Sequence, residues 1–302
     1  MRRFTVTDGV AVVTGAAGGI GAALAHGLAR RGAVLVLVDR DASGLAAVAA
    51  AIRAAHPGRQ VWTHQVDLAD ASATAALAAR IIERHPRIRL LVNNAGVALG
   101  GRFGEVTLEE FSWVVDVNFR AVAQLTHALL PALRAEPGAH LVTISSLFGL
   151  VAPPGQVAYA ASKFAVRGFT EALRHELATE GIGVTCVHPG GVRTRIARDA
   201  RVGSGVDLVE YEAGRQRFER LLTIDPTVAA ETILRGVARR RGRVLVGWSA
   251  RLLDLLARIA PVGHGRLLIA AGSRAGTRRP TAERARTPVS GPRSGADPSS
   301  RR

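Results

Sequence analysis

Apolar residues follow two alternating patterns along the first 250 positions of the chain. Short runs rich in valine and leucine predict strands at 10–14, 33–38, 60–66, 88–93, 139–145, 182–188 and 243–247. Between them, amphipathic stretches predict helices at 19–31, 42–56, 70–85, 107–135, 157–180 and 226–241. Strands that are apolar on both faces are covered on both sides, and the intervening helices supply right-handed crossovers. The pattern therefore predicts an α/β fold, a doubly wound parallel sheet of about seven strands with helices on both faces (Rossmann-like).

The same pattern predicts the domain organisation. No linker rich in proline, glycine or serine interrupts residues 1–250, which favours a single domain over 1–271. Within it, residues 190–225 are less regular and suit a mobile substrate loop, and residues 249–270 form an amphipathic segment broken at Pro261. Residues 272–302 are rich in glycine, serine, proline and arginine, and they carry too little apolar surface to order themselves. We expect them to form a basic, disordered tail.

The composition of the chain limits the kinds of partner that it is expected to bind. The chain has 302 residues, a net charge of +16 and only 4% aromatic residues. Eight arginines against Glu283 and Asp297 put +6 of that charge in residues 274–302, and the rest is dispersed. Folded nucleic-acid-binding domains usually combine a clustered basic face with stacking aromatics, so no nucleic-acid partner is expected. The single cysteine, Cys186, excludes a disulfide scaffold and any multi-cysteine metal site, and no metal is expected.

The distribution of apolar residues also bears on location. The N-terminus lacks the apolar run of a signal peptide, and no stretch of about 18 uncharged apolar residues predicts a membrane span. We therefore expect a cytoplasmic protein. The leucine-rich stretch at 252–269 and the basic tail leave a weak peripheral association with an anionic membrane open. The preferred interpretation is that 249–270 packs over the substrate cleft or between subunits.

A glycine-rich segment, TGAAGGIG at 14–21, joins the first predicted strand to the first predicted helix. Glycines there let the backbone turn tightly and let a pyrophosphate approach the helix N-terminus, whose free N–H groups attract an anion. The position between a strand and a helix makes the motif more specific than glycine alone. The candidate phosphate-binding residues are Gly15, Ala17, Gly18, Gly19, Ile20 and Gly21.

Asp39 closes the second predicted strand, 18 residues after Gly21. A carboxylate at this place can accept both hydroxyls of an adenosine ribose, which favours NAD, and it would repel a 2′-phosphate. Arg40 follows directly and could pair with that phosphate instead, so NADP stays the alternative cofactor. The structural alternative for Asp39 is a helix cap or turn residue.

Further motifs follow in order along the chain. They are Asp67 after the third strand, Asn93-Asn94-Ala95-Gly96, Asn118, Ser146, Tyr159-Ala-Ala-Ser-Lys163 and Pro189-Gly-Gly-Val-Arg-Thr194. Together with the glycine-rich segment, they resemble the short-chain dehydrogenase/reductase family over roughly residues 8–250. The glycine spacing also fits the family's larger, epimerase-like branch. The NNAG motif, the chain length and the 13-residue step from Ser146 to Tyr159 favour the compact, single-domain branch.

The resemblance implies the remaining cofactor contacts. By this resemblance the adenine lies against Asp67 and Leu68 and against a wall formed by Asn93, Asn94, Ala95 and Gly96, and the nicotinamide lies near Tyr159, Lys163, Pro189, Gly190, Val192 and Thr194. Asp67 could equally cap the following helix. His188, next to this last segment, is expected to be packed or solvated rather than catalytic.

Tyr159 and Lys163 stand four positions apart in a predicted helix and therefore share one face. A phenol with an unperturbed pKa of about 10 is a poor base at neutral pH. A neighbouring ammonium and the positive ring of an oxidised nicotinamide would lower that pKa. Lys163 is the only lysine of the chain, which suggests that the position needs a compact ammonium. The alternative is that Tyr159 and Lys163 lie on the protein surface and have no catalytic role.

Two further residues complete the expected catalytic group. Ser146 ends the fifth predicted strand at its carboxyl edge, where its hydroxyl can hold the substrate oxygen while Tyr159 moves the proton. Ser145 would point the opposite way and is expected to be structural. The resemblance implies that the main chain or side chain of Asn118 holds a water that relays protons from Lys163. Capping or bending of the helix is the alternative for Asn118.

These observations predict an NAD(P)-dependent oxidoreductase that interconverts a secondary alcohol and a ketone. The loops expected to form the pocket carry mostly apolar residues, which favours an apolar substrate; they are Leu99, Phe103, Leu147, Phe148, Val151, Pro153 and Ile196. The alternative is a non-catalytic dinucleotide-binding sensor or scaffold on the same fold. Apolar residues on more than one face of the helices at 107–135 and 157–180 favour a homodimer or homotetramer.

Overall fold

The computed structural model describes residues 3–263 and 265. The predicted tail at 272–302 and the end of the 249–270 segment lie outside these residues. Within the described part, none of the helices has both the length and the apolar character needed to cross a membrane.

Seven parallel strands form one sheet. The strands of the chain are β1 (Val10–Thr14), β2 (Val34–Asp39), β3 (Val61–Gln65), β4 (Leu90–Asn93), β5 (Leu99–Gly100), β6 (His140–Ile144), β7 (Gly183–Pro189), β8 (Arg201–Val202) and β9 (Arg243–Val246). The order in the large sheet is β3-β2-β1-β4-β6-β7-β9, and every pairing is parallel. All seven predicted strands are present, each within two residues of the predicted bounds.

Helices connect the strands and cover both faces of the sheet. They are α1 (Gly19–Arg30), α2 (Ala42–Ala55), α3 (Ala71–Arg84), α4 (Leu108–Val115), α5 (Ala121–Arg134), α6 (Val157–Ala178), α7 (Leu208–Arg220), α8 (Pro226–Ala238) and α9 (Trp248–Ile259). The helix predicted at 107–135 is present, and a π-helical turn at Asp116–Arg120, whose backbone stays in the right-handed helical region, joins α4 to α5. Such turns are frequent at functional sites.

The side chains of β1 show why the sheet is covered twice. Ala11 and Val13 belong to a buried cluster that also contains residues of α1, α2 and α8. Val12, between them, belongs to a second cluster with residues of α3 and α5. Because successive residues of a strand point to opposite faces, each face of β1 meets its own layer of helices. The predicted doubly wound fold is confirmed.

The segment at 190–225 is more ordered than its composition predicts. It contains β8, which pairs with β5, and the 13-residue helix α7. Its less regular sequence therefore does not exclude secondary structure, and its role as a mobile substrate loop stays a prediction. The apolar signal of α7 is weak, since most of its residues are polar or charged, and its packing depends on Tyr211 and Phe218 meeting residues far away in the sequence.

The strand order creates a switch point between β1 and β4. From β1 the chain proceeds to β2 on one side, and from β4 it proceeds to β6 on the other. Ligands of open α/β sheets bind at the carboxyl ends of the strands beside such a point. The glycine-rich segment follows β1 and the Asn-Asn-Ala-Gly motif begins at the end of β4, so both motifs lie at this edge.

Candidate functional site

Two glycines of the glycine-rich segment leave no room for a side chain. Gly15 has a φ of +66°, and a Cβ on it would lie 2.8 Å from the Cα of Ala95. A Cβ on Gly21 would lie 2.0 Å from the carbonyl oxygen of Gly15. Gly18 caps α1 without a side-chain hydrogen bond. The first N–H groups of the helix and the positive end of its dipole therefore face an open backbone cradle that suits an anion.

The turn is braced from β4. The side-chain amide of Asn94 donates to the carbonyl oxygens of Thr14 (2.9 Å) and Gly15 (3.1 Å). In return, the hydroxyl of Thr14 accepts the backbone N–H groups of Asn94 and Ala95, both at 3.0 Å. In the chain by itself, the side chain of Asn94 thus holds the cradle in shape.

Asp39 lies beside the cradle and does not cap a helix. Its Oδ2 accepts the backbone N–H of Ala17 at 2.9 Å, and its Oδ1 accepts that of Asp41 at 3.1 Å. The cap of α2 is Asp41, whose carboxylate accepts the N–H of Gly44 at 2.9 Å. The neighbouring Arg40 is exposed. The helix-cap alternative for Asp39 is therefore excluded, whereas its bond from the N–H of Asp41 agrees with the turn alternative.

Asp67 does not cap α3 either. Its carboxylate accepts the N–H of Ala69 at 2.9 Å, whereas Asp70 accepts the N–H groups of Ser72 and Ala73 at the start of the helix. The neighbouring Leu68 is buried, with 8% of its surface exposed.

The segment Pro189–Thr194 closes over the cradle from the other side of the switch point. A Cβ on Gly19 would lie 3.0 Å from Cγ2 of Thr194. Sequence reasoning missed Arg195, whose guanidinium would be 3.4 Å from a Cβ on Gly18 and is paired with Asp41 at 3.4 Å. The available signal was its position directly after the motif. Arg195 adds a positive charge at the rim of the anion cradle.

Tyr159 and Lys163 lie together on α6, and both are buried. The Nζ of Lys163 is 5.7 Å from the centre of the Tyr159 ring and donates to the carbonyl oxygen of Ile144 at 3.1 Å. A Cβ on Gly96 would lie 3.1 Å from Nζ and 3.2 Å from Oδ1 of Asn118. The absence of a side chain at Gly96 thus makes room for these groups, and the surface-pair alternative for Tyr159 and Lys163 is excluded.

Burial shifts the pKa values of both residues. Burial lowers the pKa of Lys163 to about 8, so its ammonium is charged at pH 7 and loses its proton as the pH rises through about 8. Burial also raises the pKa of Tyr159, and a hydrogen bond with Ser146 opposes that rise. In the chain without cofactor, desolvation outweighs the hydrogen bond with Ser146. The expectation that Lys163 and the positive ring of a bound nicotinamide together lower the pKa of the phenol stays a prediction.

Asn118 occupies the π-helical turn and is completely buried. Its Oδ1 accepts the N–H of Val97 at 2.8 Å. Its Nδ2 donates to the carbonyl oxygen of Val97 and to the hydroxyl of Ser162, both at 3.0 Å. Ser162 in turn donates to the carbonyl oxygen of Tyr159 at 2.7 Å. The side chain of Asn118 therefore braces the chain after β4 against the first turns of α6.

Ser146 stands at the end of β6 with Tyr159 beside it. Its Oγ accepts the N–H of Phe148 at 3.1 Å, and its carbonyl oxygen lies 3.1 Å from Nδ1 of His188. Burial lowers the pKa of His188 to about 4, so the ring is neutral and Nδ1 carries the proton of this bond. Ser145 donates to the carbonyl oxygen of Lys163 at 2.8 Å, which agrees with its expected structural role. His188 is packed, as expected.

Aromatic residues cover Tyr159. The ring of Phe148 meets it edge to face, with centres 6.1 Å apart, and Phe218 of α7 lies 6.1 Å from Phe148. Tyr211 of α7 packs against Gly100, where a Cβ would lie 2.1 Å from its ring. The helix α7 thus closes the site with apolar rings. Leu99 and Val151, expected to line the pocket, are instead buried, with exposed fractions of 2% and 1%.

A glycine-rich cradle at the switch point of a doubly wound parallel sheet is the arrangement of the Rossmann-like class. Comparison with known proteins narrows this class. A sequence profile described as short chain dehydrogenase matches residues 9–204. The oxidoreductase SadH of Mycobacterium tuberculosis is 44% identical over 264 residues, which cover 86% of this chain and 94% of SadH.

Solved structures agree with this assignment. A short-chain dehydrogenase/reductase from Burkholderia phymatum in complex with NAD superposes with a TM-score of 0.75 and 30% identity, over 88% of this chain and 96% of that one. A short-chain dehydrogenase from Sphingobium yanoikuyae in complex with NADPH gives a TM-score of 0.70 and 31% identity, over 92% and 100%. The chain belongs to the short-chain dehydrogenase/reductase family and is an oxidoreductase of that family.

Proposed function

We propose that this protein interconverts a secondary alcohol and a ketone, with an NAD(P) cofactor and with Tyr159 as general acid and base. The observation that carries the proposal is that Tyr159 and Lys163 are buried on α6 and that Ser146, half-buried, is hydrogen-bonded to Tyr159 at the sheet edge that carries the glycine cradle. When bound, the nicotinamide exchanges a hydride with the carbon that bears the substrate oxygen.

The residues of the cradle fit a dinucleotide. The open N-terminus of α1 suits the pyrophosphate, and a Cβ at Gly15 or Gly21 would fill the turn. Asp39 places a carboxylate where an adenosine ribose would bring its hydroxyls, which favours NAD. The segment Pro189–Thr194 would hold the nicotinamide end. The family members solved with NAD and with NADPH support an NAD(P) cofactor, and the preference for NAD rests on Asp39.

The proton is handled by residues of this chain. Because burial raises the pKa of Tyr159, the hydroxyl is protonated at neutral pH and can donate its proton to a carbonyl oxygen held by Ser146. Lys163, with a pKa of about 8, can accept and return protons near working pH, and Ile144 takes only one of its three donor positions. Since both side-chain atoms of Asn118 bond to protein groups, its main chain is the candidate to hold a relay water.

The substrate that suits this site is apolar. The ring of Phe148 lies beside Tyr159, and Phe218 of α7 lies on the ring of Phe148. Leu208 and Val209 are exposed on the same helix. Burying apolar substrate surface against such groups stabilises the complex by about 25 cal/mol per Å².

The proposal is tested by assaying a panel of alcohols and ketones with NAD and with NADP in parallel. Turnover is monitored by the absorbance of the nicotinamide. We expect Tyr159→Phe to lose at least ~10²-fold in turnover, because a general acid–base catalyst is removed. The matched control is Tyr211→Phe at the chain's other tyrosine, which should keep its activity. Full activity of Tyr159→Phe would refute the mechanism. Tight NADH binding without reduction of any substrate would favour the sensor alternative.

A further inference from the structure

The helix α9 exposes a continuous apolar face. Trp248, Leu252, Leu255 and Ile259, which we call the α9 stripe, are exposed by 74%, 45%, 53% and 72%. Their spacing of four, three and four residues places them on one side of the helix. The described part of the chain contains no element that covers them. Val262, just beyond the helix, is 87% exposed and extends the stripe.

The opposite side of α9 is fastened to the protein. Ala250 is fully buried, and the carboxylate of Asp254 is bonded by Arg243 of β9 and by Arg258 of α9. The side chain of Asp254 is only 13% exposed, so this ion pair is partly desolvated. The helix is thus held in one orientation, and the α9 stripe is directed away from the core.

Positive charge adjoins this stripe. A cleft of about 430 Å³ between α8, β9 and α9 is lined by five arginines, namely Arg235, Arg239, Arg241, Arg243 and Arg251. Within the described residues, Arg243 alone among them is paired with a carboxylate, that of Asp254. On the helix, Arg251 and Arg258 border the stripe along one flank. The surface therefore combines an apolar stripe with a cleft in which four of the five guanidinium groups have no acidic partner among the described residues.

The charge decides which occupant suits this surface. A second copy would bring the same basic cleft and the same net charge of +16, and residues 274–302 carry eight arginines of their own. The unpaired arginines of the cleft would therefore repel both a second copy of the chain and the basic segment 274–302. An anionic bilayer offers phosphate groups at its surface and apolar chains beneath, in the same order as the arginines and the stripe.

We propose that the α9 stripe docks this protein on an anionic lipid surface, where the arginines of the neighbouring cleft bind the phosphate headgroups. The apolar side chains supply burial in the headgroup region, and each arginine near the surface contributes about a five-fold increase in partition. This proposal is an alternative to the prediction that residues 249–270 pack over the substrate cleft or between subunits.

The test is sedimentation of the full chain with vesicles of phosphatidylcholine alone and of phosphatidylcholine mixed with phosphatidylglycerol. We expect at least ~10-fold more bound protein on the anionic vesicles, with binding that falls as salt screens the charges. Inorganic phosphate at matched ionic strength should not displace the protein. The emission of Trp248 should shift to shorter wavelength on binding, and Trp248→Phe should remove that shift, although Trp62 and Trp113 remain.

Two variants separate the contributions. The triple change Leu252→Ser, Leu255→Ser and Ile259→Ser should lower binding at least ~10-fold. Arg251→Gln should lower it about five-fold on anionic vesicles only. The matched control is Leu108→Ser, a change at a leucine 75% exposed on α4, which should bind as the parent does. Thermal melts verify that each variant is folded.

Three results would overturn the proposal. One is equal binding by the triple variant and the parent, which would assign binding to residues outside the stripe. Another is a parent that ignores vesicles but loses a dimeric state when the stripe is changed, which would make a second copy the occupant. The third is displacement by inorganic phosphate, which would assign the cleft to a free anion.

Discussion

Replacing Lys163 with methionine is expected to abolish turnover and yet to stabilise the protein at neutral pH. Lys163 is only 3% exposed, and burial lowers its pKa to about 8. A methionine of similar length fills the same space without a charge that must lose its water. The variant removes the ammonium that the proposed mechanism requires, so stability and activity should move in opposite directions.

The magnitude follows from the pKa. A shift from 10.5 to about 8 means that the buried ammonium costs the native state about 3 kcal/mol at pH 7. The variant also loses the hydrogen bond from Nζ to the carbonyl oxygen of Ile144, which destabilises it by about 1 kcal/mol. The net gain in the free energy of unfolding for Lys163→Met is therefore about 2 kcal/mol at pH 7.

The lowered pKa of Lys163 also determines how the free energy of unfolding changes with pH. Between pH 8 and 10.5 the unfolded chain holds a proton on Lys163 that the native chain has lost, so the stability of the parent rises with pH in this window. The variant lacks this group. The advantage of Lys163→Met should therefore shrink by about 3 kcal/mol as the pH rises through the window.

The assay is denaturant unfolding of parent and variant without cofactor, from pH 7 to 10.5. Because the chain has one lysine, an isotope label on the lysine ε-carbon gives one NMR titration and a direct pKa. Lys163→Arg is the control, since arginine keeps its charge throughout and should show no rise in stability. A midpoint of 10 or above, or parallel stability curves for parent and Lys163→Met, would refute the reasoning.

Three further predictions concern the cradle and the buried histidines. Asp39→Ala should raise catalytic efficiency with NADP relative to NAD, measured as the ratio of kcat/KM values, because it removes the carboxylate that opposes a 2′-phosphate; an unchanged ratio would contradict this role. His188→Leu should lower kcat by leaving the Ser146 carbonyl without its donor, whereas His188→Asn should retain most of it; equal loss in both would contradict the bond. Acidification from pH 6.5 to about 4 should destabilise the protein, because burial lowers the pKa of His140 to about 3 and that of His188 to about 4, so the unfolded chain binds protons that the native one excludes. Urea unfolding over this range should show the loss, and a flat profile would exclude it.

The strands were the most predictable part of the fold. Parallel strands are buried on both faces, so β1 and β2 appear in the sequence as nearly continuous apolar runs with little ambiguity. The helix α7 could not be predicted in the same way. It owes its position to Tyr211 on Gly100 and Phe218 on Phe148, contacts that span about 70 residues or more. The hydrophobic periodicity of a segment does not show which distant residues will pack against it.

The sequence by itself determined the order of the elements, the glycine-rich turn after β1 and the spacing of Tyr159 and Lys163, because each depends on neighbours within a few residues. Only the tertiary structure decided that the side chain of Asn118 hydrogen-bonds to Val97 and Ser162, and that Nδ1 of His188 hydrogen-bonds to the carbonyl oxygen of Ser146. It also decided the protonation of the site. A pKa depends on how much water a group loses and on which charges surround it, and those surroundings come from strands and helices that only folding brings together.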